Sequence, residues 1–205
     1  MSTNIPKKLK YQITEVSDSF VFGKIDLEDM DYIVSEIDSE IESGCYEPGL
    51  IGTNDDGDLN EETRSSTISW LTKSKKVFKK IKNVVDQIND QFFDLDISTK
   101  PCSYQYTLYD NPLDHYNWHK DQYKKDHFTD GYIRTLSLSL CLTSSEFYEG
   151  AELFVRDNHK LNVRVFKMGY GDFVIFPANV THRVNALREG TRASFVAWYG
   201  YENTN

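Results

Sequence analysis

The chain is short of cysteine, of long apolar runs and of positive charge, and each shortage closes off a class of protein. Its three cysteines, Cys45, Cys102 and Cys141, are an odd number with no C-x-x-C spacing. They offer neither a disulfide framework nor a zinc knuckle, and they suit a reducing compartment. No stretch reaches the run of about 18 apolar residues that a membrane-spanning helix needs. The opening Met1-Ser-Thr-Asn-Ile-Pro-Lys-Lys8 lacks the apolar core of a secretion signal. The expectation is a cytoplasmic protein that does not engage a membrane. Lys and Arg number 23 against 32 Asp and Glu, and the net charge of −9 repels nucleic-acid phosphates. Nucleic acid is not an expected partner.

What is present is globular. The 205 residues, 39% hydrophobic and 14% aromatic, fit a single domain spanning 1–205. Such a chain buries a core without help from metal, so a metal here would serve function. Leu27, Met30, Val34, Ile37 and Ile41 recur at helical spacing behind Asp26 as N-cap, with Glu28 and Asp29 in the first turn. The Gly- and Pro-bearing stretch 44–60, with the acidic group Asp55, Asp56 and Asp58, reads as a solvated loop without the distal Glu of an EF-hand. Residues 64–71 read as a strand, and a second helix over 74–92 carries the stripe Val77, Phe78, Ile81, Val84, Val85, Ile88 and Phe92. The lysines between Lys73 and Lys82 read as its solvated face.

Beyond residue 100 the texture changes to short β-branched and aromatic runs divided by Gly, Asn, Asp and Pro. The runs are 102–109, 116–121, 132–143, 151–156, 161–167, 172–177, 181–186 and 191–200. The fold class is therefore α+β: a helical part over about 1–100 packed on one side of a two-sheet β-core over about 101–200. One run alternates unusually, with Leu136, Leu138, Leu140 and Leu142 on one face and Thr135, Ser137, Ser139 and Cys141 on the other. The small face reads ordinarily as solvated. It would also suit a pocket that must leave room for a small polar ligand.

The chemistry centres on Trp118-His119-Lys120-Asp121. An extended backbone puts His119 and Asp121 on one face, where one metal ion can touch both side chains. His182 follows the apolar run 172–177 and can join them across a barrel mouth. Two imidazoles and a carboxylate on one side of an octahedron are the ligand set of a non-haem Fe(II) oxygenase. His115, four residues before His119, is the rival ligand, whereas His127 and His159 read as surface residues. Ten residues after His182 stands Arg192, whose planar guanidinium can grip a carboxylate through two parallel hydrogen bonds.

The order H-x-D, His, Arg resembles the prolyl 4-hydroxylase type of Fe(II)- and 2-oxoglutarate-dependent dioxygenases. The resemblance covers roughly residues 100 to 200, through Tyr104–Tyr109, Tyr116–Asp121, Arg134-Thr-Leu-Ser, Tyr148–Leu153, Gly171–Pro177 and Gly190–Trp198. It implies a double-stranded β-helix, a cupin-like jelly-roll of two facing sheets. It implies Fe(II), 2-oxoglutarate and O2, with ascorbate as a further cofactor, and a reaction that releases succinate and CO2. On this likeness His119, Asp121 and His182 would ligate iron, and Arg192 and Tyr109 would bind the distal carboxylate of 2-oxoglutarate. Ser139, Cys141 and Leu153 would line the cosubstrate pocket, with Trp198 toward the substrate. The implied substrate is a prolyl residue of a protein or peptide. A free amino acid or other small molecule is the alternative within the same chemistry, and a non-catalytic jelly-roll binding a metal or small acid is the alternative outside it. Loop 122–131 is long and aromatic enough to act as a substrate lid, with a plain surface loop as the alternative. Where many relatives carry two adjacent glycines, this chain has Gly150-Ala151.

Overall fold

The computed structural model describes residues 7–41, 46–49, 62–71, 76–97, 103–122, 132–157 and 162–202. The expected loop 44–60 apart from 46–49, most of the expected lid, Lys73, Lys75, Cys102, His127 and His159 lie outside them, Cys45 and the acidic group 55–58 included. In chain order the elements are β1 (Tyr11–Ser17), β2 (Phe20–Ile25), α1 (Leu27–Ile41), β3 (Glu47–Pro48), β4 (Arg64–Ser65), β5 (Thr67–Leu71) and α2 (Lys76–Phe92). They continue with β6 (Ser103–Tyr109), β7 (His115–His119), β8 (Tyr132–Cys141), β9 (Tyr148–Gly150), β10 (Leu153–Asp157) and β11 (Asn162–Phe166). The last four are β12 (Asp172–Pro177), β13 (His182–Val184), β14 (Leu187–Gly190) and β15 (Arg192–Glu202).

Two sheets face each other. The larger runs β1-β2-β12-β8-β15-β6-β5-β3 and the smaller β11-β10-β13-β7-β4, while β14 and β9 form a two-stranded ribbon. The alternation in β8 divides the molecule into its layers. Leu136, Leu138 and Leu140 pack outward with Phe195 and Tyr199 of β15 against Met30, Ile33, Ile37, Phe78, Ile81 and Val85 of the two helices. Ser137, Ser139 and Cys141 turn inward and are buried, and Cys141 joins Leu153, Val155, Phe176 and Val184 between the sheets. The small-residue face is thus interior, and the solvated reading of it does not hold. Short side chains there leave space between the sheets that leucines would fill.

Both expected helices form. The carbonyl of Asp26 accepts the amides of Asp29 and Met30 at 3.0 and 3.1 Å, starting α1 where the N-cap was expected. Its buried stripe runs through Met30, Ile33, Ile37 and Ile41, so Leu27, expected on that face, stands 59% exposed. Helix α2 buries the expected stripe, with Phe78 stacked on Phe195 at 5.5 Å and tilted against Tyr104 at 4.4 Å. Of its lysines, Lys76 and Lys79 are exposed as read, whereas the Lys82 side chain is 12% exposed, pairing with Asp86 one turn on and lying over the Tyr199 ring.

The N-terminal region is less helical than its periodicity suggested. Strands β1 and β2 form a hairpin that extends the large sheet through the pairing of β2 with β12. Strand β1 carries a bulge between Ile13 and Glu15, and its residue types do not follow its faces: Glu15 falls on the half-buried side while Val16 is 45% exposed. Ribbon β9–β14 joins the two sheets through tight turns. A Cβ on Gly190 would stand 2.0 Å from the Phe147 carbonyl oxygen, and its φ of +79° is open to glycine alone at little cost. Ala151, in the position of the second glycine of many relatives, takes φ 48° and bears the strain of a methyl group in the left-handed region.

Candidate functional site

Strand pairing brings the expected ligands together. His119 closes β7, His182 opens β13, and the two are directly opposed in the antiparallel register. Asp121 follows two residues after His119. Its Oδ1 lies 3.8 Å from His119 Nε2 and its Oδ2 3.6 Å from His182 Nε2. The three ligand atoms fall within 4.8 Å of one another, close enough for one ion to touch all three. Each imidazole uses its Nδ1 on the backbone carbonyl two residues earlier, His119 on Asn117 at 2.7 Å and His182 on Val180 at 3.0 Å. When Nδ1 donates that hydrogen bond, the lone pair stands on Nε2 and points at Asp121, the tautomer that metal ligation requires.

The electrostatics favour ligands over an ion pair. Burial, with His182 alongside, pulls His119 down to about 3, so its ring is neutral near pH 7. For Asp121 burial acts upward, but His182, His119, Ser137 and Arg134 together outweigh it and hold the carboxyl below its usual value. A column of rings fixes His119: Tyr116 stacks on it at 3.5 Å and 16°, and Arg64 caps Tyr116 at 4.6 Å. Arg64 is anchored by hydrogen bonds to Ser66 and Gln105, both at 2.9 Å. The rival ligand His115 is engaged elsewhere, with its two nitrogens near the carbonyls of Leu113 and Glu62.

Arg192 opens β15 opposite Tyr109 of β6 and is 1% exposed. Its Nη2 lies 3.9 Å from Met168 Sδ, and the guanidinium carbon stands 5.6 Å from the Tyr109 ring centre. Nε and Nη1 are buried with no hydrogen-bond partner. Burial opposes the charge, Cys141, Tyr109 and Tyr148 beside it act the other way, and the guanidinium stays protonated. A buried cation with two idle donors is expensive by several kcal/mol unless an anion meets it. That vacancy of partners fits a carboxylate.

The other expected residues divide between the two ends of the cavity. Tyr109, Cys141 and Leu153 share the inter-sheet cluster beside Arg192, and Ser139 lies two residues before Cys141 on the same inward face. Trp198 lies six residues along β15 from Arg192, opposite Ser137. It sits under the guanidinium of Arg134 at 4.3 Å and beside Trp70 at 6.1 Å. Arg134 is near enough to act on the Asp121 carboxylate, so Trp198 belongs to the metal end and not the Arg192 end. Residues that sequence reasoning passed over are Tyr148, whose hydroxyl donates to the Met168 carbonyl, and the Arg64–Tyr116 pair. All were visible only as members of matching motifs. A surface depression of about 610 Å³ beyond the end of β8, lined by Lys24, Leu142, Thr143 and Phe147 among others, touches none of these groups.

Two facing sheets with a His-Asp-His cluster at one mouth and a buried arginine inside make a double-stranded β-helix in which three side chains could hold one metal ion. Residues 104–200 match the family model described as the 2OG-Fe(II) oxygenase superfamily. A PKHD-type hydroxylase of Idiomarina loihiensis is 29% identical over 85 residues, 42% of this chain and 36% of that protein. The PKHD-type hydroxylase YbiX of Escherichia coli is 36% identical over 84 residues, 40% of this chain and 36% of that protein. The match thus spans little more than a third of these curated relatives. Among solved structures, a Pseudomonas putida prolyl-4-hydroxylase aligns with TM-score 0.68 at 18% identity, covering 90% of this chain and 93% of that one. A Trichoplax adhaerens prolyl hydroxylase in complex with a hypoxia-inducible-factor peptide aligns with TM-score 0.70 at 16% identity, covering 90% and 84%. The likeness to the 2OG-Fe(II) oxygenase superfamily thus lies in the β-core, residues 104–200.

Proposed function

We propose that the chain, working as one domain in the cytoplasm, is an Fe(II)- and 2-oxoglutarate-dependent dioxygenase that hydroxylates a prolyl residue of a protein or peptide. His119, Asp121 and His182 would hold the iron, and Arg192 the distal carboxylate of the cosubstrate, assisted by Tyr109. The single observation that carries the reading is Arg192, a buried guanidinium with two unpartnered donors on the same β-core as the His-Asp-His cluster. One Asp carboxylate against a ferrous ion and a guanidinium leaves two positive charges, which the 2-oxoglutarate dianion cancels.

Bound Fe(II) with 2-oxoglutarate and O2 supplies the oxidation, and succinate and CO2 are its products. The chain's part is positioning and shielding. The Nδ1 contacts with backbone carbonyls fix the orientation of both imidazoles, with Nε2 of each toward Asp121. Arg192 grips a carboxylate through two parallel N–H groups, which fixes the cosubstrate's direction along the cavity. Ser139, Cys141 and Leu153 leave it room and exclude water. Trp198 and Arg134, at the metal end, face the side from which a substrate approaches. The peptide part of the reading is supported by the prolyl hydroxylase neighbours, one of which is bound to a peptide.

The test is mass spectrometry of proline-containing peptides and of free amino acids incubated with the protein, Fe(II), ascorbate and 2-oxoglutarate. Addition of one oxygen atom to a peptide is expected. Oxygen addition confined to free amino acids would contradict the peptide reading.

A further inference from the structure

The outer face of the smaller sheet carries a cluster that the proposed reaction does not use. Trp118 on β7, Arg183 on β13 and Phe154 and Arg156 on β10 alternate with the buried Val155, His182 and Val184, so they stand on the solvent side of adjacent strands. Arg183 lies between two rings, 5.0 Å from the Trp118 centroid and 4.4 Å from that of Phe154. Arg156 covers Trp118 from 5.1 Å, and the two rings meet edge to face at 6.3 Å. Stacking of this kind holds a guanidinium plane in place while its N–H edge stays open to an acceptor. Among the described residues neither arginine has a carboxylate within ion-pairing reach, whereas Arg164 and Arg188 are paired with Glu15 and Glu149. Arg183 Nε is buried with no hydrogen-bond partner among the described residues. On the edge strand β11, Val163 and Val165 pair with Arg156 and Phe154 and continue the face as an apolar border, 42% and 40% exposed.

We propose that this face docks an acidic, extended segment of the polypeptide substrate, with carboxylates on Arg156 and Arg183 and apolar side chains against Trp118, Val163 and Val165. That the segment belongs to the substrate rests on the peptide-hydroxylase reading above. Charge complementarity selects the partner: on a chain of net charge −9, the ring-stacked Arg156 and Arg183 put two positive charges on one face. A nucleic acid, with phosphates at close regular spacing, meets the repulsion of the whole molecule, whereas a peptide with a few carboxylates meets mainly the local pair. Position argues the same way. Trp118 and Arg183 are the chain neighbours of His119 and His182, so a polypeptide leaving the mouth and turning over the strand ends meets this face next.

The experiment is a fluorescence-anisotropy titration of two labelled peptides, one alternating Glu and Leu and the other with Lys in place of Glu, against the full chain without iron or 2-oxoglutarate. The acidic peptide is expected to bind on the order of tenfold more tightly than the lysine peptide, with salt weakening it, and R156E/R183E is expected to erase that preference. Should the double variant fail to fold, R156E alone, at an exposed position, is expected to lower acidic-peptide affinity about threefold. Equal binding of the two peptides by the unmodified chain, unchanged acidic-peptide binding by the variants, or equally tight binding of a single-stranded oligonucleotide would overturn the proposal. Succinate formation is assayed separately and reports on the oxygenase reading alone, so the two can fail independently.

Discussion

Arg192 is costly in the empty protein, because its Nε and Nη1 are buried without acceptors. Replacing it with methionine keeps the volume and removes the unpaired charge. Arg192→Met is therefore expected to leave the cosubstrate-free protein as stable or up to about 4 kcal/mol more stable, while 2-oxoglutarate binding weakens on the order of a hundredfold or more. Thermal unfolding and calorimetric titration of the same two proteins check both halves. His119 gives a second prediction, from acid. Its ring titrates near 6.5 when unfolded and at about 3 when folded. As pH falls through 6.5 the unfolded chain gains a proton that the folded one refuses, so this contribution is fully present above 6.5 and is lost progressively down to about 3. Asp121, held low, shifts stability in the same direction at the acid end. The metal-free protein should show a urea midpoint falling over that window, and His119→Gln should flatten the fall. An unchanged slope in the variant would contradict the assigned titration.

At the scale of elements, β8 joins fold and site, because its leucines hold the helices and its small residues line the interior. This double role was half readable in the sequence. Alternation announced a strand and two unlike faces, but which face was interior depended on a second sheet arriving from β7, β10 and β13, and no local pattern carries that. Strands β1 and β2 were missed for local reasons: Glu15 and Val16 sit on the wrong faces for an alternating signal in β1, and β2 is buried on both faces over much of its length. Helix α2 was readable throughout, since its stripe repeats at helical spacing and packs where expected. Its central anchor, Phe78, touches Tyr104 and Phe195. Phe78→Ala is expected to cost about 3–5 kcal/mol in a denaturant titration, with little effect on metal affinity in the folded fraction.

Over the whole molecule, the jelly-roll brings together groups that stand far apart in the chain. His119, Asp121, His182 and Arg192 were recognisable because their order and spacing form a motif. The column of Arg64, Tyr116 and His119 was not, because stacking between strands β4 and β7 leaves no spacing signature. Nor was the outer cluster of Trp118, Phe154, Arg156 and Arg183, which three strands assemble only after pairing. Among the described residues no helix is long and apolar enough to cross a membrane. The central claim is that the His-Asp-His cluster and Arg192 form one oxygenase site, and the most direct measurement is succinate produced from 2-oxoglutarate under air with added Fe(II). The account predicts succinate from the unmodified protein and none above background from Asp121→Ala or His182→Ala; production by either variant at the unmodified rate would contradict it.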